Sequence, residues 1–323
     1  MWFKNMDKLR NYFNANHDKH GINILYSTPS CYLKSLHDTK QDGWPEKKDD
    51  FLPYASDPHA YWSGYFTSRP TLKGMIRDAN SNLQACKQVH ALYGGKDGDP
   101  RLDLAKKAVS VNQHHDAVTG TAKQHVTDDY ALRLHNGMEA CNQIMMETLN
   151  SNFSLDLESA CPLVNISQCH YSEQFKHSIR VTLYNPMSGE VDNYVRLPVS
   201  SCTAKYQVLD SHGDIQESQL VPVPREVQSL PGRNSKAVCE LVFLATNIPA
   251  LGYSTFTVED LQEEQEPPKV FKVASSFTLQ NQHLKASFSK TGELKGITLG
   301  TTDVKLHQDF AFYRGAVGDN MRY

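Results

Sequence analysis

The first 55 residues carry apolar positions that predict a helix, a strand and a second helix. Apolar side chains recur at helical spacing over residues 2–13. The apolar run at 22–26 predicts a buried strand, and a short helix is expected over 31–37. This order within forty residues is typical of an α/β layer.

From about residue 58 to residue 150 the apolar residues repeat every three or four positions, which predicts three antiparallel helices. Asp99 precedes Pro100 and is a candidate N-cap, and Thr121 with Gln124 matches a capping box. We therefore expect a three-helix bundle over 56–152. Its predicted core positions are Leu72, Ile76, Ala79, Leu83, Leu102, Ala105, Ala108, Val109, Val126, Tyr130, Leu134, Met138, Met145 and Leu149.

Beyond about residue 170 the period becomes two, which predicts strands. Short alternating segments separated by Pro and Gly turns indicate a β-sandwich over 153–262. The run 261–268 is acidic and proline-rich and is expected to be a linker. Strands resume after it, so residues 269–323 are predicted to begin a second, incomplete β-sandwich domain. The fold class is multidomain α+β.

Composition and charge remove several classes of function. Lys and Arg number 33 against 36 Asp and Glu, a formal net charge of −3. Because nucleic-acid binding depends on neutralising phosphates, this balance without a basic stripe argues against a nucleic-acid partner. No apolar run approaches the ~18 residues of a membrane span, and the charged first thirteen residues do not form a signal peptide.

The seven cysteines indicate an oxidising compartment. None forms a C-x-x-C pair, so a structural zinc site built from cysteines is disfavoured. The sequons at Asn152 and Asn165 are candidate N-glycosylation sites beside a close cysteine pair, which favours an oxidising and glycosylating compartment. Cys86 and Cys141 both fall on apolar helix faces, where a disulfide could join two helices. The odd count means that one thiol is free or that its partner lies outside this sequence.

Two segments could carry chemistry. His114, His115 and Asp116 stand in succession between two predicted helices and can supply a metal ligand, a sugar-hydroxyl acceptor or an acid/base group. The alternative is a structural turn that caps a helix. The aromatic segment 61–70 includes Trp62, whose ring could stack on a sugar or fill a core. Phosphate-binding glycine loops and a serine nucleophile elbow are missing from the sequence.

These two segments together resemble glycoside hydrolase family 38. The match consists of 61–70, YWSGYFTSRP, followed about fifty residues later by 113–121, QHHDAVTGT. The pair is long and ordered, and therefore specific. Three shorter segments fit the same family: 26–30 (YSTPS), 50–54 (DFLPY) and 184–186 (YNP).

The resemblance implies a retaining exo-α-mannosidase with zinc at the sugar site, acting on mannose-containing oligosaccharides. In such an enzyme one carboxylate is the nucleophile and a second carboxyl is the acid/base. His115 corresponds to the last zinc ligand of the family and Asp116 to a carboxylate that bonds mannose hydroxyls. Trp62 corresponds to an aromatic residue near the substrate, and His114 is adjacent with a role left open. Family members often dimerise, but nothing in the sequence indicates an interface.

The resemblance also implies that catalytic parts lie elsewhere. In the family, two zinc ligands come from a His-x-Asp motif near the start of an α/β barrel, and the nucleophile sits in an Asp-Pro-Phe-Gly context. We expect both motifs, and the acid/base residue, to lie outside these 323 residues. Residues 1–55 would then be the tail of the barrel-like catalytic domain, and the chain an internal fragment that is inactive alone. The alternative is a non-catalytic carbohydrate-binding or scaffolding module.

Family disulfides imply pairings for most cysteines. Cys86 would pair with Cys141, Cys161 with Cys169, and Cys31 with a cysteine outside this sequence. Cys202 and Cys239 remain, and we infer from what is left that they join two strands of the first β-domain.

Overall fold

The computed structural model describes residues 2–39, 43–268 and 275–309. The chain divides into two compact units, Met1–Thr67 and Ser68–Tyr323. The domain boundaries expected from the sequence stay predictions, and the predicted second β-domain is described only over 275–309. No helix in the described ranges is both long and apolar enough to cross a membrane.

The first unit contains the two expected helices but lacks the expected strand. Its helices are α1 (Trp2–Ala15), α2 (His17–His20) and α3 (Pro29–Asp38), and a 3₁₀ turn spans Ser63–Phe66. The prediction of a strand at 22–26 was wrong. The side-chain amide of Asn14 takes the place of a neighbouring strand, because its Nδ2 donates to the Ile24 carbonyl (2.9 Å) and its Oδ1 accepts from the Ile24 N–H (2.7 Å).

Three long helices open the second unit: α4 (Pro70–Leu92), α5 (Pro100–Val111) and α6 (Gln124–Phe153). They share one hydrophobic core. At the α5–α6 seam Gly137 lets the helices approach closely, since a Cβ there would lie 3.0 Å from Ala108 Cβ. The apolar period therefore located both the helices and their buried faces, because side chains three and four residues apart share a helix face. The buried predicted positions are Leu72, Ile76, Ala79, Leu83, Leu102, Ala105, Ala108, Val109, Leu134 and Leu149.

One helix start was predicted correctly and one was wrong. Asp99 caps α5 by accepting from the Arg101 N–H (2.9 Å). The capping box at Thr121 does not form: Lys123 is the residue before α6, and it makes no side-chain capping bond. The Thr121 hydroxyl donates instead to the carboxylate of Asp116.

Antiparallel strands follow in two sheets that share a second core. A short helix, α7 (His170–Gln174), precedes them, and α8 (Arg225–Gln228) lies between strands. The strands are β1 (Ser178–Asn185), β2 (Val191–Val199), β3 (Ala204–Leu209), β4 (Ile215–Gln216), β5 (Ser218–Pro222), β6 (Cys239–Ile248) and β7 (Gly252–Glu264). The first sheet has the order β1-β7-β3-β4, and the second has the order β2-β6-β5.

The expected linker at 261–268 is partly a strand. β7 runs to Glu264, which pairs with Ala204 of β3. The acidic composition therefore marked the exposed end of a long strand rather than a break in the fold. After it comes a four-stranded antiparallel meander whose strands are neighbours in sequence order. Its strands are β8 (Phe277–Gln280), β9 (Leu284–Phe288), β10 (Leu294–Leu299) and β11 (Thr302–Lys305).

Candidate metal and sugar site

The His-His-Asp segment lies on the turn that connects α5 to α6. Asn112, at the end of α5, is completely buried, and its Nδ2 donates to the carbonyls of Ala108 (2.9 Å) and Tyr130 (3.4 Å). Because Tyr130 belongs to α6, this one amide ties the exit of α5 to the neighbouring helix. The start of the turn is thereby fixed.

The backbone of the turn is bonded to itself. The Ala117 N–H donates to the His114 carbonyl (2.9 Å), and the Gly120 N–H donates to the Ala117 carbonyl (2.9 Å). Ala117 is wholly buried. Gly120 has φ +75°, and a Cβ there would lie 2.5 Å from the Ser68 carbonyl oxygen. Only glycine satisfies both the left-handed backbone and this close approach.

The turn brings three potential ligands together. One donor atom each from His114, His115 and Asp116 lies within 4.8 Å of the others. Asp116 Oδ2 is 3.3 Å from His114 Nε2 and 3.7 Å from His115 Nε2. The His115 side chain is 84% exposed, so its ring nitrogens are accessible. Two imidazoles and a carboxylate oxygen are donors that zinc prefers, and they leave further coordination positions open.

The carboxylate of Asp116 is held in its ionised form. The Thr121 hydroxyl donates to Oδ1 (2.9 Å), and this bond, with smaller contributions from His115 and His114, lowers the pKa of Asp116 against a weaker opposing effect of burial. Thr119 Oγ1 lies 2.8 Å from Thr121 Oγ1 and also bonds the His115 carbonyl. Asp116 is therefore an acceptor or a ligand rather than a proton donor.

Trp62 belongs to the first unit, whereas the three donors belong to the second. Trp62 is 54% exposed, and its indole Nε1 donates to Ser56 Oγ (3.1 Å). The ring meets Tyr54 edge-on, with centroids 5.3 Å apart. This exposed ring, fixed by two neighbours, can stack on an apolar sugar face.

The sequence did not reveal the residues at the start of α4 and just before it whose side chains bond the turn. Lys73 Nζ donates to the Val118 carbonyl (2.6 Å), and Ser68 Oγ donates to the Gly120 carbonyl (3.0 Å). The Arg69 guanidinium also donates to the Gly120 carbonyl and reaches Gln124 Oε1 (3.4 Å). Ser68 and Arg69 stand in the aromatic motif, but only their cationic and hydroxyl character could have hinted at this contact.

Two of the expected disulfides are present. Cys161 is bonded to Cys169 and Cys202 to Cys239. Cys239 opens β6, but Cys202 lies in the loop between β2 and β3, so this second bond does not join two strands.

The other three cysteines are free thiols in the structure. The expected Cys86–Cys141 disulfide is therefore not formed. Both thiols are buried in the helical core, and hydrogen bonding to Cys86 together with burial raises the pKa of Cys141. Neutral thiols are the form that an apolar core favours. Cys31 is exposed.

The two sequons differ in their surroundings. Asn165 is exposed on a 3₁₀ turn, Val164–Ile166, inside the loop closed by the Cys161–Cys169 disulfide. Asn152 lies in the last turn of α6, and its amide Nδ2 donates to the carbonyls of Tyr93 (3.0 Å) and Thr148 (2.8 Å). Glycosylation of either residue stays a prediction.

Comparison with known proteins finds two family models that match this chain. "Alpha mannosidase middle domain" matches residues 60–151. This range includes Trp62 and the turn at 112–123 that carries His114, His115 and Asp116, called the donor turn below. "Lysosomal alpha-mannosidase-like, central domain" matches residues 217–258, in the two-sheet region.

Similar proteins are named lysosomal alpha-mannosidases. Those of Felis catus, Bos taurus and Homo sapiens are 37%, 38% and 36% identical to this chain over 99% of its length. The chain spans about a third of their length (32%, 31% and 32%). A solved glycosyl hydrolase family 38 structure from Enterococcus faecalis aligns with 90% of this chain and with 35% of its own chain, at 13% identity and a TM-score of 0.48. The sequence comparisons confirm the resemblance of this chain to α-mannosidases along nearly all of its length.

Proposed function

We propose that this chain forms part of a zinc-dependent, retaining exo-α-mannosidase that removes terminal α-mannose from N-linked oligosaccharides in the lysosome. The observation that carries the proposal is the cluster of His114, His115 and Asp116, which lies within the segment matched by the mannosidase middle-domain model. The names of the similar proteins support the substrate class and the location.

Each candidate residue would have a separate role in binding zinc or the sugar. His115, with its exposed imidazole, would hold zinc, and zinc when bound supplies a Lewis acid that grips sugar hydroxyls. Asp116, kept ionised by Thr121, would accept hydrogen bonds from mannose hydroxyls. His114 stands beside it within 3.3 Å and would contact the same sugar. Trp62 would offer its exposed ring to the apolar face of the substrate.

A zinc titration of the 323-residue chain tests the metal assignment. We expect calorimetric titration to detect zinc binding to the wild type, and we expect His115→Ala to abolish it. His125→Ala is a matched control, since His125 is an exposed histidine at the start of α6 outside the donor cluster. Equal zinc affinity of the wild type and His115→Ala would refute the ligand assignment.

Catalysis needs two further carboxyl groups, which the resemblance does not assign to any residue of this chain. We therefore propose that the chain alone does not hydrolyse mannosides. With p-nitrophenyl α-mannoside and zinc, release of nitrophenol should not exceed the blank, and turnover above it would contradict this statement. Binding of mannose that is indifferent to zinc and to His115→Ala would favour a non-catalytic carbohydrate-binding module.

A further inference from the structure

Two cationic side chains at the start of α4 donate hydrogen bonds to backbone carbonyls of the donor turn. Lys73 Nζ lies 2.6 Å from the Val118 carbonyl oxygen, and the Arg69 guanidinium bonds the Gly120 carbonyl. Within the described ranges neither side chain is paired with a carboxylate. Their charge is therefore directed at the backbone of the turn, where it makes charge-assisted hydrogen bonds.

The local backbone is shaped for this contact. Arg69 has φ +46°, a left-handed conformation that is unfavourable for a residue other than glycine. Gly120 has φ +75° and approaches the backbone of Ser68 too closely for any side chain. Arg69 and Gly120 are both left-handed, and each contacts the segment that contains the other. The backbone of both segments is therefore shaped where the start of α4 meets the donor turn.

The bonded carbonyls belong to the same short turn as the donors. Val118 follows Asp116 by two residues, and Gly120 is bonded through its own N–H to Ala117. Ala117 in turn donates to the His114 carbonyl, so the chain of bonds runs from α4 back to the first donor. The Val118 side chain packs on the helical core, which leaves its carbonyl free to face Lys73.

We propose that Lys73 and Arg69 are positioning residues that hold His114, His115 and Asp116 in one geometry for metal binding, an inference that rests on the proposed function. Neither residue has to touch metal or sugar. Groups that fix a ligand from outside the coordination sphere typically change metal affinity by about 10–100-fold when removed.

Zinc alone is the probe, and the complete chain is the protein. We expect Lys73→Met, which keeps the length of the side chain but removes the donor, to weaken zinc binding about tenfold. Lys73→Arg keeps a cationic donor and should stay within about threefold of the wild type. Lys87→Met is the matched control, because Lys87 lies exposed on the same helix and its Nζ donates to Gln84 rather than to the turn. Calorimetric titration gives the affinities, and thermal unfolding shows whether each variant folds.

Amide hydrogen exchange separates failure of this inference from failure of the proposed function. The N–H groups of Ala117 and Gly120 should exchange faster in Lys73→Met, whereas that of Ile144 in the core of α6 should not change. If zinc does not bind the wild type, the metal assignment fails, and the exchange rates still decide whether Lys73 holds the turn. The positioning role would be overturned if Lys73→Met left the amide exchange rates unchanged. It would also be overturned if the wild type binds zinc and Lys73→Met binds it with the same affinity.

Discussion

The helices at 70–153 and the segment 2–67 both contain apolar side chains at helical spacing, but these side chains are buried only in the first region. In the helical region Val89, Leu134 and Cys86 are completely buried. In the described part of 2–67 no residue is buried, and Trp2 is 82% exposed. Both regions form helices with amphipathic spacing.

An apolar stripe therefore predicts a helix but does not predict that the helix is buried in a core. The stripe arises from the local period of 3.6 residues, whereas burial requires a second element at the right distance. α4, α5 and α6 supply such elements to each other. Free energy from burial is about 25 cal/mol per Å² of apolar surface removed from water, so the two regions should respond very differently to truncation.

The largest contrast is expected between Leu134→Ala and Trp2→Ala. Leu134 is completely buried in the core shared by α4, α5 and α6, and its truncation should lower the free energy of unfolding by about 2–5 kcal/mol. Trp2→Ala removes an exposed ring and should change it by less than about 0.5 kcal/mol. Urea unfolding followed by circular dichroism measures both. A loss above 2 kcal/mol for Trp2→Ala would break the comparison, because it would mean that the ring is covered in solution.

A smaller contrast lies between two helical glycines. Gly137→Ala would place a Cβ 3.0 Å from Ala108 Cβ at the α5–α6 seam and should destabilise the chain by about 1–3 kcal/mol through overpacking. Gly74→Ala, on α4 with nothing within 4 Å, should stabilise it by up to about 1 kcal/mol through helix propensity. Thermal unfolding of the two variants should therefore move in opposite directions. Equal shifts would show that the seam relaxes freely.

The smallest expected effect is electrostatic. Hydrogen bonding to Arg101 lowers the pKa of Asp99, so this carboxylate stabilises the fold above its unfolded pKa, near 3.9. That contribution is lost as the pH falls through the lower folded pKa. Asp99→Asn keeps a capping residue but removes the charge and should cost less than about 1 kcal/mol at pH 7. Urea unfolding at several pH values should show the cost vanishing in strong acid; a constant cost would assign it to the cap alone.

Much of the second unit could be predicted from the sequence, because its patterns are local. The periods of 3.6 and 2 placed α4 to α6 and the strands, and Asp99 beside Pro100 marked a helix start. The bond between Cys161 and Cys169, which the family resemblance implied, is formed. The donors of the candidate site were also identified, because His114, His115 and Asp116 are adjacent in sequence and any turn brings them close.

Two predictions of local structure were wrong because a side chain elsewhere in the chain bonds the groups concerned. Ile22–Tyr26 has the composition of a strand, but Asn14 bonds its backbone and none of the described strands pairs with it. Thr121 has the spacing of a capping box, but the Asp116 carboxylate competes for its hydroxyl. In each case a side chain close in space satisfied a hydrogen-bonding group that the sequence pattern had assigned to secondary structure.

The local apolar period was enough to place the buried faces of α4, α5 and α6, and adjacency along the chain was enough to identify His114, His115 and Asp116 as potential ligands. What holds those three residues in place depends on contacts between elements. Lys73 and Val118 are 45 residues apart, and their contact depends on how α4 packs beside the turn. Periodicity reports the neighbours of a residue along one element, whereas a bond between elements depends on the packing of side chains from both.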